Sequence, residues 1–243
     1  MSWKIINILR RVIRIGFIKT IFLNFSKLPL QQALKLPIIV TRNTYFYDLS
    51  GKINIEGEVK PFMVRMGYFG EDTNVWKNNR ILLKIRGALT FKGSSHYGIG
   101  VSIRVEPNAE LTIGDNVRIS NNTKIISYES ITIGNNCRIA WECQLIDTTF
   151  HYIKNKKNGE VAPKNKRIII GNNNWIGNRA NIMKGTITPD YCIIAGGSMC
   201  NKTFEIPNYS LIAGSPAELK KTGIYRVLDE EEKEIKAILL KED

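Results

Sequence analysis

The chain has 243 residues, 43% of them hydrophobic, enough for one large domain with a sizeable core, and this excludes overall disorder. Its formal net charge of +13 raises an anionic membrane or nucleic acid as a partner, but the cations are not interleaved with aromatics on a nucleic-acid motif, so no nucleic acid is expected. Four cysteines without CxxC spacing and no secretory cleavage pattern point to a reducing, cytoplasmic location.

The N-terminal region, residues 1–50, is a basic extension: no Asp or Glu precedes Asp48, whereas Lys4, Arg10, Arg11, Arg14 and four further cations do. From Trp3 to Ile15, Lys4, Asn7, Arg11 and Arg14 recur at helical spacing opposite Ile5, Ile8, Leu9 and Val12. Ile15, Phe17, Ile18, Ile21 and Phe22 prolong the apolar surface. Residues 1–25 therefore read either as a peripheral contact with the inner membrane face or as a helix packed on its own domain. The longest charge-free run here, Thr20 to Ser26, is far short of the ~20 residues a spanning helix needs.

From Ile113 the period changes. Aliphatic residues return every six positions at Ile113, Ile119 and Ile125, then, after a two-residue slip, at Ile133, Ile139 and Leu145; a second series runs from Ile170 to Cys200. Neither a helix nor an alternating strand has this period; it is one flat side of a three-sided β-solenoid coil. The residue after each aliphatic is mostly Gly, Ala or Ser, which suits tight corners. The residue four positions on is also small, so it points into a narrow interior, and this places Cys137, Cys143 and Cys192 in the packing, with Cys200 at an aliphatic position. Coil starts such as Ile53-Asn54-Ile55 and Leu89-Thr90-Phe91 put the beginning of the solenoid near Gly51 and its domain at 51–221. Between Leu145 and Ile170 the rhythm is lost, which predicts a projecting loop over 151–167. Residues 222–243 read as a C-terminal helix, with Asp229 to Glu232 at its N-terminal dipole.

Several stretches match more than a bare repeat. Ile170-Gly171-Asn172-Asn173-Asn174-Trp175-Ile176-Gly177, Ala195-Gly196-Gly197-Ser198 and Leu211-Ile212-Ala213-Gly214-Ser215-Pro216-Ala217 resemble, in order, the coil, turn and closing segments of the bacterial hexapeptide-repeat acyltransferases. The pattern is similar to maltose and galactoside acetyltransferases and to sugar O-acetyltransferases of capsule and exopolysaccharide synthesis. The resemblance implies a left-handed parallel β-helix, a homotrimer, acyl-CoA sites between subunits, and acetyl-CoA as co-substrate with no metal required.

The expected activity is transfer of acetyl to a hydroxyl of a sugar or lipid-linked glycan. It needs a base for the hydroxyl proton, and an imidazole suits that task. His151 stands where the rhythm breaks, where the family's catalytic histidine lies; the other histidine, His96, matches no motif and reads as structural. Asp147, two positions after Leu145, is expected to point outward and either orient His151 or bind a sugar hydroxyl. By resemblance, Asn178, Gly196, Gly197, Ser198, Asn201, Lys202 and Lys221 bind the CoA portion, with Glu218 standing where relatives can carry Arg. Trp175 either shapes the acyl slot or packs between coils. N-acetylation of an amino sugar, serine O-acetylation and a non-enzymatic β-solenoid scaffold are the alternatives; the two enzyme alternatives usually bring an additional N-terminal domain that residues 1–50 are too short to form.

Overall fold

A computed structural model describes residues 15–69, 79–228, 230, 231 and 233. Among these, the strands form three stacked sheets, the faces of a β-helix, plus a short hairpin. The first face runs from Ile38–Val40 through Val64–Phe69, Ser95–Gly98, Val117–Ile119, Arg138–Ile139, Trp175–Ile176 and Ile193–Ile194 to Ser210–Gly214. The second begins at Thr44–Asp48 and ends at Met199–Cys200; the third begins at Lys52–Ile55, reaches Ile168–Ile170, and is continued by the bridges of Ile187 with Ile169 and Thr203. Pairing within each face is parallel, as a coil that returns to the same side requires; the exception is the closing strand Ala217–Thr222, which runs antiparallel to Ser210–Gly214. The solenoid thus begins at Ile38, ahead of the expected start at Gly51, because Ile38–Val40 and Thr44–Asp48 pair in register with Val64–Met66 and Ile81–Lys84.

The inward positions carry the expected aliphatics. Leu111, Ile125, Leu145, Ile176 and Ile194 are fully buried, and the small positions Cys137, Cys143, Ala180, Cys192 and Ser198 fill the narrow interior. All four cysteines are free and buried.

The corner glycines have a different reason from the turn conformation expected of them. A Cβ on Gly114 would stand 2.6 Å from the Gly134 carbonyl carbon, and one on Gly134 would stand 2.7 Å from the Asn172 nitrogen, so each coil's backbone sits where the previous coil would need a side chain. The left-handed backbone is taken two residues later, by Asn116, Asn136 and Asn173, a residue type that tolerates positive φ.

Helix α1, Phe17–Lys27, and the short α2, Leu30–Ala33, close the N-terminal end of the stack. Leu23, Leu28 and Ala33 are buried against the first coils. Thr20 and Asn24 meet the open edge of Ile38–Val40: the Ile38 N–H donates to Asn24 Oδ1 at 3.1 Å and Asn24 Nδ2 donates to the Ile38 carbonyl at 2.7 Å. The Val40 N–H donates to Thr20 Oγ1 at 3.2 Å. Two side chains take the place of a missing strand and protect an edge that would otherwise pair with another chain. Residues 1–14 and most of the expected C-terminal helix lie outside the described residues.

Candidate active site

His151 stands at the base of a hairpin that projects from the corner between the second and third faces. The six-residue rhythm breaks there because the hairpin has its own pairing, Ile153–Lys154 antiparallel to Val161–Ala162. Its neck is closed by backbone hydrogen bonds, Lys166 N–H to the Asp147 carbonyl at 2.9 Å and Thr149 N–H to the Lys164 carbonyl at 3.0 Å, with the bridge Thr148–Asn165 between them. Phe150 takes a positive φ of 61°, which turns the chain outward just before the histidine. The imidazole is exposed, and Thr149 Oγ1 donates to the His151 carbonyl at 3.0 Å, fixing the backbone beneath it.

Asp147 does not point outward. It is fully buried, and its carboxylate accepts from the Tyr128 N–H at 2.7 Å, the Glu129 N–H at 2.9 Å and the Ser127 hydroxyl at 3.0 Å. Burial raises its pKa despite these three donors. These bonds, none of them to His151, pin the corner of the preceding coil to the strand from which the hairpin leaves. The expectation failed because strand alternation puts a residue two positions after the inward Leu145 on the same inward side, as it does Ser127 after Ile125 one coil earlier.

The residues expected to hold CoA fall at two corners. Asn178, Gly196 and Gly197 share the corner between the first and second faces, where the Gly197 N–H donates to the Asn178 carbonyl at 2.8 Å. A Cβ on Gly177 would come within 2.5 Å of Gly196 N, and Gly197 has a φ of 70° with open space around it, so this corner is a flat, side-chain-free edge that a long thin ligand could follow. Ser198 is not part of that edge: it is buried, and its hydroxyl accepts from the Gly214 N–H at 3.2 Å, joining two coils. Asn201 and Lys202 are exposed at the next corner, the one that carries the His151 hairpin two coils earlier, and Lys202 pairs with Glu218 at 3.5 Å. Lys221 is exposed on the closing strand, opposite Leu211. The glycine edge and His151 are thus divided by the second face of the same chain.

Trp175 lies on the first face, partly exposed, with the Arg226 guanidinium 5.0 Å from its ring centroid, so it packs under the C-terminal segment and not between coils. His96 stands on the same face, in register between Arg65 and Arg118. Burial, then the charges of Arg65, Arg118 and Arg138, hold its pKa down to about 4.

One group beside His151 carried no motif. Tyr128 packs edge-on to Phe150 at 5.6 Å, accepts from Arg104 Nη2 at 2.6 Å, and has Lys164 Nζ 6.0 Å from its ring. Its sequence signal was the two-residue slip between Ile125 and Ile133, which enlarges this corner.

No family model and no curated protein matches the chain. Solved structures do. The polysialic-acid-specific acetyltransferase NeuO is 22% identical and matches with a TM-score of 0.59 over 77% of this chain and 74% of its own. The polysialic acid O-acetyltransferase OatWY is 20% identical over 76% of this chain and 88% of its own, with a TM-score of 0.43. A galactoside acetyltransferase in complex with coenzyme A is 31% identical over 51% of this chain and 59% of its own, with a TM-score of 0.43. The first of these likenesses establishes a shared fold, and with the six-residue coils above it makes this chain a left-handed parallel β-helix. The expected resemblance to hexapeptide-repeat acetyltransferases holds at the level of that fold.

Proposed function

We propose that the chain is an acetyl-CoA-dependent O-acetyltransferase that modifies a sugar hydroxyl in surface polysaccharide synthesis, with His151 as general base. The observation that carries this reading is the placement of His151: an exposed imidazole at the neck of a hairpin inserted at a solenoid corner, with its carbonyl held by Thr149. Acetyl-CoA supplies the acetyl group as an activated thioester. His151 takes the proton of the acceptor hydroxyl as that oxygen attacks the thioester carbonyl, so no acyl-enzyme is needed. The flat edge at Gly177, Asn178, Gly196 and Gly197 would hold the pantetheine arm, with Asn201, Lys202 and Lys221 toward the phosphates. Because edge and base occupy different corners of one chain, a site that unites them is best built between subunits of a homotrimer.

Acetyl-CoA is expected to raise the melting temperature of the protein. His151→Ala is expected to keep that shift and to lose kcat by about 10²–10⁴-fold in a thiol-release assay with sugar acceptors. Near-normal turnover in the variant would remove His151 from the reaction, and no thermal shift by acetyl-CoA or CoA would turn the reading toward a scaffold.

A second reading concerns location. Phe17, Ile18, Ile21, Phe22 and Phe25 of α1 and Leu30 and Leu34 beyond it are exposed at the N-terminal end of the stack, a contiguous apolar surface of a kind that monomeric soluble proteins rarely present. We propose that this end rests on the inner membrane face. Lys19, Lys27 and Lys35 donate to carbonyls of their own first coils, so the apolar face supplies the contact here and those three lysines hold the helix down. No helix among the described residues is long and apolar enough to cross a membrane.

A further inference from the structure

A strip of aromatic and cationic side chains leads away from His151 along the corner between the second and third faces. Next to the histidine, Tyr152 is largely exposed, and Lys164 Nζ sits 5.1 Å from its ring centroid and 6.0 Å from that of Tyr128. Arg104 lies over the other side of the corner, 5.2 Å from the Tyr128 ring and bonded to its hydroxyl. Beyond it Lys84 stands 5.6 Å from the exposed ring of Tyr47.

The order of these residues is fixed by the sheet. On the second face Lys84 pairs with Arg104, Arg104 with Ile126, and Ile126 with Ile146, the residue that runs into Asp147 and the hairpin. Three rungs at about 4.8 Å give a strip of about 14 Å, long enough for more than one sugar ring.

The strip keeps cationic donors free. Lys84, Arg104 and Arg86 share the buried carboxylate of Glu106, at 2.8, 2.5 and 3.5 Å, and Arg86 also pairs with Asp48. Lys164 has no carboxylate partner among the described residues. Against these cations stand Asp48, Glu106 and, at the hairpin corner, Glu129 and the buried Asp147, so a ligand meets the unpaired Lys164 ammonium and the free side of Arg104, not a net charge. Glu106 fixes the geometry of the cations; burial pushes its pKa up, and the hydrogen bonds and then the charges of Lys84 and Arg104 together outweigh burial and keep it low. Arg104 uses Nε and Nη2 within the protein, which leaves its Nη1 side for a ligand.

We propose that this strip, from Tyr152 and Lys164 through Tyr128 and Arg104 to Lys84, is the acceptor subsite, and that it takes a carboxylate-bearing glycan. The inference rests on the acetyltransferase reading for what happens at His151, and on the strip alone for the class of acceptor. Aromatic faces pack against the C–H faces of sugar rings, and the cations between them pair with ring carboxylates, a guanidinium most specifically of all. A neutral glycan would use the rings and leave the Lys164 ammonium and the free side of Arg104 without an anionic partner.

The test is direct binding, without acetyl-CoA, of a galacturonic acid hexamer and a sialic acid hexamer, with maltohexaose and a short single-stranded DNA as controls, measured calorimetrically. At least one acidic oligomer is expected to bind, and maltohexaose and DNA are expected to bind at least tenfold more weakly. Lys164→Gln and Arg104→Gln are each expected to weaken the acidic oligomer about tenfold, as loss of one charge-assisted contact does. Lys164 lies on an exposed hairpin, so its variant keeps the fold, and an unchanged melting temperature checks this. Binding of maltohexaose or DNA as tight as that of the acidic oligomers, no binding of either acid, or unaltered binding in both variants overturns the proposal. The thermal shift by acetyl-CoA is read separately, so a wrong acceptor class and a wrong enzymatic reading give different results.

Discussion

The amide of Asn24 exchanges two hydrogen bonds with the backbone of Ile38, giving 2.7 Å to the carbonyl and taking 3.1 Å from the N–H, as a neighbouring strand would. Both residues are fully buried, so neither bond is replaced by water when the amide is removed. Asn24→Ala should therefore cost about 2–4 kcal/mol, the sum of two net hydrogen bonds and the desolvation of the two groups left behind. The midpoint of urea unfolding measures it. A cost below about 0.5 kcal/mol would mean that the first coil does not depend on this side-chain strand.

Asp147 is expected to act on the fold of the site and not on the sugar. In Asp147→Asn one acceptor oxygen becomes a donor that faces a backbone N–H or the Ser127 hydroxyl, at a cost of about 1–3 kcal/mol. The melting temperature should fall while KM for the acceptor stays near its original value. A raised KM with an unchanged melting temperature would return Asp147 to the binding site.

His96 should make stability depend on pH. Its folded pKa, about 4, lies below the ordinary 6.5, so the unfolded chain takes up the proton first. Its contribution is fully present above pH 6.5 and is lost as pH falls from 6.5 toward 4. Since the ring is partly exposed, solvent screening leaves less than the full shift would give. Unfolding midpoints across this window should flatten in His96→Gln relative to the unaltered protein; parallel curves would count against a depressed His96.

Membrane contact is tested by co-sedimentation with vesicles of phosphatidylglycerol and phosphatidylcholine. Ile18 and Phe22 are exposed at 85% and 54%, so Ile18→Asp with Phe22→Asp should leave the fold intact. Each buried large apolar side chain contributes about 1.5–3 kcal/mol, and the double variant should bind vesicles at least tenfold more weakly. Equal binding would place any membrane contact elsewhere.

Much of the architecture was legible in the chain. The six-residue return of Ile113, Ile119 and Ile125 reports a flat side of a coil because only inward positions must be apolar, and the small residues four positions on report the narrowness of the interior. The same register assigned the cysteines to packing, and burial in the structure pushes the thiols of Cys137 and Cys143 up to about 12 and 11. The hairpin was legible as a loss of rhythm, and His151 as the histidine inside it.

The first coil was not legible, since Ile38–Val40 carries no repeat of its own and gains its place by pairing with Val64–Met66. Asp147 and Ser198 were misplaced for a common reason: a polar residue near a motif reads as reactive until its hydrogen-bond partners are known, and those partners, Tyr128, Glu129 and Gly214, lie in other coils.

The sequence by itself determined the coil, its period, its core and the position of the break, because these follow from which residues must be dry at fixed spacing. Only the tertiary structure decided that Asn24 and Thr20 close the first edge, that Asp147 pins a corner, and that Tyr128, Arg104, Lys84 and Lys164 form one strip beside His151. Those relations join residues 14 to 80 positions apart, brought together by stacking one coil on the next, and no local pattern along the chain encodes which side chains that stacking aligns.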